Sequence, residues 1–310
     1  MNGTCSVACG LLGGVGKVNQ TFLVYLLYRL AGAIVPHIPP RWGYPLFSFI
    51  GDLIYRFHSG ARQIVQENLR HVLGQETDRA TIEETARQLF HNSLQNYYEL
   101  FHQRTLSGEE MRASLTVKGL EHIEEALAQG KGLVLATAHF GSPDGLMHAI
   151  PLLSFPVTAP AEHLKPEILF RYICSLRENK GITLLPADGP LLGLFRALKR
   201  NEIVVVAADR DTTESGIMVD FFGAPARLPD GHVQLAMRTG AKLALAFGRR
   251  EPDNTYTIEI HPPLELEDTG DFKRDVRANM EKVVAGLERV IRQHPEQWLI
   301  FYPLWPSRGV

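Results

Sequence analysis

The sequence predicts an α/β fold: a sheet with parallel sections and helices between its strands, preceded by a helical N-terminal part. Three observations predict it. Residues 20 to about 115 carry apolar side chains at helical spacing. From Val117 onward, short apolar runs alternate with stretches of helical length. The 310 residues, 45% apolar and 21% charged, have the composition of an ordinary globular chain large enough for one sizeable core.

Residues 1–19 are expected to form a disordered N-terminus. Lys17 is their one cation and comes late, which makes a poor signal-peptide start. Phe22–Val35 is apolar apart from Arg29. Its fourteen residues fall short of the ~20 that span a bilayer, and Pro36, Pro39 and Pro40 close it. Trp42–Phe57 then carries six aromatic residues with Arg41 and Arg56 at its flanks. That composition suits a membrane interface or a buried helix pair, and the residues alone leave both open. Ala61–Leu73 repeats Ile64, Val65, Leu69 and Val72 at helical spacing. Thr81–Glu84 suggests a capping box for a helix running to about His102, with Leu89, Phe90, Leu94, Tyr97, Tyr98 and Phe101 as its apolar stripe.

After Val117 the expected strands are Leu133–Ala138, Val157–Pro160, Ile182–Pro186, Ile203–Ala208, Ile217–Phe222, Lys242–Gly248, Tyr256–Ile260 and a short Leu299–Tyr302. Expected helices are Leu120–Ala128, Pro143–Leu153, Pro166–Asn179, Gly189–Lys199, Gly231–Thr239 and Phe272–His294. Residues 20–115 and 116–310 are read as a helical part and an α/β core of one structural unit. Net charge is −2, which argues against a dedicated nucleic-acid binder. Cys5, Cys9 and Cys174 make neither a disulfide framework nor a zinc spacing, and no metal site is expected.

The chemistry concentrates in LVLATAHFGSPD, Leu133–Asp144. A buried strand delivers His139 to its carboxyl end, where open α/β sheets bind ligands. Gly141, Ser142 and Pro143 turn the chain, and Asp144 falls in the first turn of the next helix, where the dipole keeps a carboxylate ionised. A histidine with an acid beside it is a general base. The spacing itself is weak: 12 His and 34 acids in 310 residues give about one chance match. The sequence has a second, His71…Glu76, read as a solvated helix end. The strand-turn-helix context selects His139 and Asp144 as catalytic, with Asp144 orienting the imidazole and amides near Gly141 receiving the oxyanion.

Further candidates line the other strand ends. Glu162 follows the strand at Val157 and would orient substrate or pair with a nearby arginine. Arg177, late in the next helix, suits that helix's C-terminus as a cation and alternatively has the geometry for phosphate. Arg210 and Glu214 lie at and after the abruptly charged turn Ala207–Asp211. Arg227 sits in what reads as a shaped loop, Phe221–Gly231, before a helix N-terminus, which suits an acyl chain or, through Arg227 and the helix amides, a phosphate. His163, His232 and His261 have no carboxylate partner legible in the sequence.

HFGSPD resembles the His-x4-acid motif of the lysophospholipid acyltransferase superfamily. DFFGAPARLPDG followed by LAMRTGA resembles its lipid A late-acyltransferase branch. AEHLKPE, RENKG, ADRD and HPEQWLIFYPLW are more similar still to the phosphatidylinositol mannoside acyltransferases. The similarity runs in order from about residue 20 to 308. It implies a mostly parallel central sheet flanked by helices with a helical membrane-associating N-terminal part. It also implies acyl transfer from an acyl thioester, acyl-CoA or acyl carrier protein, to a sugar hydroxyl of a glycolipid such as a phosphatidylinositol mannoside. The base would be His139 with Asp144, without an acyl-enzyme, cofactor or metal. The implied place is peripheral, on the cytoplasmic (inner) face of the cell membrane. Glu162, Arg177 and Glu214 match charged site positions of the mannoside branch, whereas His163 stands where that branch has Arg. The alternatives are a lipid A-type enzyme using acyl carrier protein and a non-catalytic lipid-binding protein on the same fold.

Overall fold

The computed structural model describes residues 17–144, 147, 154–177, 182–189, 191–211 and 215–305. Cys5, Cys9 and Glu214 lie outside these, as does most of the helix expected over 143–153.

The N-terminal part consists of α1 (Lys17–Ile34), α2 (Pro40–Phe57), α3 (Ser59–Leu73), α4 (Arg79–His102) and the short α5 (Gly108–Ala113). Pro40 opens α2 at its first turn, where the missing N–H costs nothing. The expected capping box at Thr81–Glu84 is absent. Asp78 is the N-cap and accepts the Thr81 N–H at 3.0 Å, so α4 starts two residues before Thr81. A full capping box stands instead at Ser107 and Glu110 on α5. The stripe of α4 is buried as expected at Leu89, Phe90, Leu94, Tyr98 and Phe101, while Tyr97 is half-buried. α2 packs along α4 through Gly43, where any Cβ would enter the Tyr98 ring. The opposite flanks of α1 and α2 stay bare. Phe22, Leu26, Leu30 and Ile34 on α1, and Trp42, Leu46, Phe49, Leu53 and Phe57 on α2, are all exposed. Among the described residues no helix is long and apolar enough to cross a membrane.

The main sheet has seven strands: β1 (Leu115–Lys118), β2 (Leu133–Thr137), β3 (Val157–Ala161), β4 (Ile182–Pro186) and β5 (Ile203–Ala207), then β8 (Lys242–Arg250) and β9 (Tyr256–Ile260). Their order is β1-β9-β8-β2-β5-β3-β4. Every neighbouring pair is parallel except β8 and β9. The helices α6 (Leu120–Leu127), α7 (Glu167–Arg177), α8 (Leu192–Lys199), α9 (Gly231–Thr239) and α10 (Phe272–Gln293) complete the described core. β2 shows why the sheet is covered on both sides. Val134 and Ala136 face a core with α8, α9 and α10, whereas Leu133 and Leu135 face Ile123 and Ala126 of α6.

Two of the expected strands also change. Ile217–Phe222 does form a strand, β6 (Ile217–Phe221), but it pairs with β7 (Ala224–Leu228) in a separate hairpin. The expected shaped loop is the tip and second strand of that hairpin. Phe222 and Gly223 both take positive φ, 53° and 74°, which matches the twist of a two-residue turn. Pro225 hides the strand in the sequence, because proline is tolerated in a two-stranded ribbon but weakens a strand reading. Leu299–Tyr302 is not a strand. The chain makes a single bridge, Trp298 to Phe140, and Leu299 N–H donates to the His139 carbonyl at 2.7 Å.

Candidate active site

Three adjacent strands, β2, β5 and β3, bring their carboxyl ends together. They deliver His139, Asp209 with Arg210, and Glu162. The ladder extends past the strands, since the Ala208 N–H still reaches the Thr137 carbonyl at 2.8 Å.

The partner of His139 is Asp209. His139 Nδ1 lies 2.8 Å from Asp209 Oδ1. Asp209 Oδ2 accepts the backbone N–H of His139 at 2.9 Å and the indole Nε1–H of Trp298 at 2.9 Å. The carboxylate is fully buried, whereas 38% of the imidazole side chain remains accessible. Burial alone pushes the His139 pKa down, but the charge and hydrogen bond of Asp209 outweigh it and hold the pKa above its ordinary value. Burial likewise pushes Asp209 up. The His139 charge and the donors on both oxygens outweigh that and hold it below the usual carboxylate range.

Asp144 does not orient the imidazole. Gly141 reverses the chain at φ 65°, packed where a Cβ would strike the Gly248 carbonyl. Asp144 then meets α7, and Arg177 donates to it through Nε at 2.6 Å and NH2 at 3.3 Å. Arg177 is therefore paired with a carboxylate through Nε and NH2. The amides near Gly141 are not open to an oxyanion either. Those of His139, Phe140, Gly141 and Ser142 donate to Asp209 Oδ2 and to the carbonyls of Ala138, Gln297 and Gly248.

Glu162 Oε2 lies 3.5 Å from Arg210, and its Oε1 is buried without a hydrogen-bond partner among the described residues. Arg210 also lies over the Tyr302 ring, 5.8 Å from its centroid. Both charges act on His139, Glu162 raising and Arg210 lowering its pKa. Arg227 points from β7 to the Gly216 carbonyl at 2.9 Å. His163 has carboxylate partners after all, Glu167 at 2.7 Å and Asp188 at 3.1 Å. His71 is not a solvated helix end but stacks on Trp305, centroids 4.2 Å apart. Among the described residues no group of acids, His and Cys has the makings of a metal site.

On the α6 face of the sheet, beside β2, lies a narrow cavity. Its lining includes Ile123, Leu135, Thr137, Phe155, Val205 and Ile260. Thr137, which lines it, precedes His139 by two residues in the chain.

The profile of the family described as "Bacterial lipid A biosynthesis acyltransferase" matches residues 17–307. The chain belongs to that family. A phosphatidylinositol mannoside acyltransferase of Mycobacterium tuberculosis (strain H37Rv) is 31% identical over 265 residues, 82% of this chain and 80% of the relative. One of Mycolicibacterium smegmatis is 31% identical over 261 residues, 81% of this chain and 82% of the relative. The lipid A biosynthesis lauroyltransferase of Escherichia coli K12 is 30% identical over 196 residues, 62% of each chain. The resemblance read from the ordered motifs is borne out, and the protein is an acyltransferase.

Sequence reasoning placed Asp209 in a charged strand end but did not connect it to His139, because strand order is not written in the chain. Trp298 was missed as a site residue. The HPEQW segment around it was the available signal.

Proposed function

We propose that this acyltransferase moves a fatty acyl chain from an acyl thioester to a sugar hydroxyl of a phosphatidylinositol-mannoside-like glycolipid at a membrane surface. The observation that carries the mechanism is the bond from His139 Nδ1 to buried Asp209. An ionised Asp209 only accepts, so Nδ1 carries the proton and Nε2 is the basic nitrogen. Nε2 takes the proton of the acceptor hydroxyl as that oxygen attacks the thioester carbonyl. Asp209 stabilises the imidazolium that forms. Collapse of the tetrahedral intermediate breaks the C–S bond. The imidazolium returns its proton to the leaving thiolate, so no acyl-enzyme forms. Arg210, held at the carboxyl end of β5 beside Glu162 and the Tyr302 ring, is the cation we assign to the developing oxyanion.

The acceptor assignment is supported by 31% identity to mannoside acyltransferases over most of both chains. Membrane contact is supported by the bare apolar flanks of α1 and α2, which water leaves unsatisfied and a lipid interface covers.

The test is a mixture of phosphatidylinositol mannosides and a lipid A precursor, incubated with labelled acyl-CoA and, separately, with carrier protein bearing the same labelled acyl group. Mass spectrometry should find the label esterified to a mannoside in the acyl-CoA arm. A labelled lipid A precursor formed only with carrier protein would assign the alternative acceptor. Lipid binding without any transfer would reject the proposed transfer.

A further inference from the structure

Two buried charges take no part in the chemistry above. Glu99 on α4 and Arg250 at the end of β8 have side chains 0% and 4% exposed. They meet fork to fork, Nε to Oε1 at 2.7 Å and NH2 to Oε2 at 3.0 Å. The remaining guanidinium donors are met by the side-chain oxygens of Asn92, Gln95 and Asn96, at 3.0, 2.6 and 2.8 Å. A buried pair of this kind is a poor source of stability, because desolvation offsets its attraction. Its worth lies in what it holds in place.

It holds the loop that follows His139. Ser142 donates its hydroxyl to Glu99 Oε2. Asn96, itself bound to Arg250, donates to the Gly141 carbonyl at 3.0 Å. The other carboxylate oxygen takes the hydroxyl of Tyr256 at 2.9 Å and that of Tyr44 at 3.2 Å. Tyr44 belongs to α2, between the exposed Trp42 and Leu46. One carboxylate therefore joins the bare helix to the loop that carries the base.

We propose that Glu99 is a positioning residue for acyl transfer. Through Ser142 it sets the place of the His139 loop, and through Tyr44 it makes that place depend on α2. This rests on reading His139 as the base. The pair sits behind the loop and touches no reacting atom. Displacing the loop by a fraction of an ångström moves Nε2 away from the acceptor hydroxyl. Such misplacement costs rate more than donor affinity.

Replacing Glu99 itself would strand the Arg250 charge, so the test uses its two hydroxyl partners. The full chain is assayed with palmitoyl-CoA and vesicles carrying phosphatidylinositol mannoside, as wild type, Ser142→Ala, Tyr44→Phe, the double variant and His139→Ala. Thermal melting is recorded for each. Ser142→Ala should lower kcat on the order of tenfold, with donor KM within about twofold. Tyr44→Phe should lower kcat less, and the double variant should be no slower than Ser142→Ala, because both act through one carboxylate. Tyr44→Phe keeps its ring, so it serves if Ser142→Ala folds poorly. Wild-type kcat in both single variants overturns the proposal. So do effects that multiply, or a loss confined to KM. A wild-type rate in His139→Ala overturns the base on which it rests, in a separate arm.

Discussion

Asp209 holds the Nδ1 of His139, while Asp144, the acid at the expected spacing, holds Arg177. The two acids beside this loop therefore have different partners, an imidazole and a guanidinium. Strand β5 lies beside β2 and carries its acid to the imidazole. The helical turn at Asp144 carries the other acid away to α7.

This division predicts different pH profiles. A base must be neutral, so turnover rises with pH through the pKa of His139, which lies above its ordinary value. Asp209→Asn removes the charge and leaves the burial, so the acidic limb should move to lower pH. Turnover should fall by about 10²–10⁴ as the imidazolium loses its partner. Asp144→Asn should leave the limb where it is. The measurement is kcat against pH for both variants, and an equal shift in both would return Asp144 to the imidazole.

The loop chemistry was legible because it is local. The apolar run before His139, the turn at Gly141 and the helical start at Pro143 are all set within a dozen residues. The pairing of His139 was not, because it depends on β5 lying next to β2, some 70 positions apart in the chain. Glu99 was invisible for a similar reason. On a helix stripe it reads as a solvated acid, and only the arrival of Arg250 from β8 makes its burial tolerable. The hairpin was lost to Pro225, a residue that speaks against strands except in ribbons of this kind.

His232 predicts an acid-labile core. It is fully buried on α9, neither ring nitrogen has a hydrogen-bond partner among the described residues, and burial holds its pKa at about 4. The unfolded chain binds this proton near 6.5, so between the two values it holds more protons than the folded one. Stability from keeping His232 neutral is present above about 6.5 and is lost as pH falls towards 4, amounting to about 3 kcal/mol. In His232→Leu that part of the loss should vanish. Melting temperatures across this window decide it, and parallel curves for wild type and variant would refute the assignment.

The Asp144–Arg177 pair predicts a stability effect in place of a binding effect. Asp144 has 9% of its side chain exposed and Arg177 31%, so both lose water to meet. Asp144→Ala strands the guanidinium and should cost about 2–3 kcal/mol. Arg177→Lys keeps the charge, loses the two-pronged contact and should lower the melting temperature by a few degrees, with acceptor KM unchanged. A raised acceptor KM at an unchanged melting temperature would instead place phosphate on Arg177.

The last prediction concerns α2. Trp42, Leu46, Phe49, Leu53 and Phe57 recur every three or four residues, so they form one stripe along the helix, all exposed. Its other side is fixed by Gly43 and Tyr98, so the stripe cannot turn inward. Arg41 and Arg56 are exposed at the two ends of the helix, placed to pair with anionic headgroups if the stripe lies on a bilayer. Each large side chain moved from water to the acyl boundary contributes roughly 1.5–3 kcal/mol when fully covered, less at an interface. Trp42→Ser with Phe49→Ser should therefore weaken binding to anionic phospholipid vesicles by at least about tenfold, and salt should weaken it further by screening the arginines. The fold should be spared, because these side chains touch water in the free protein. Vesicle co-sedimentation measures the first effect and melting temperature the second. Unchanged sedimentation in the double variant would rule out α2 as the membrane contact.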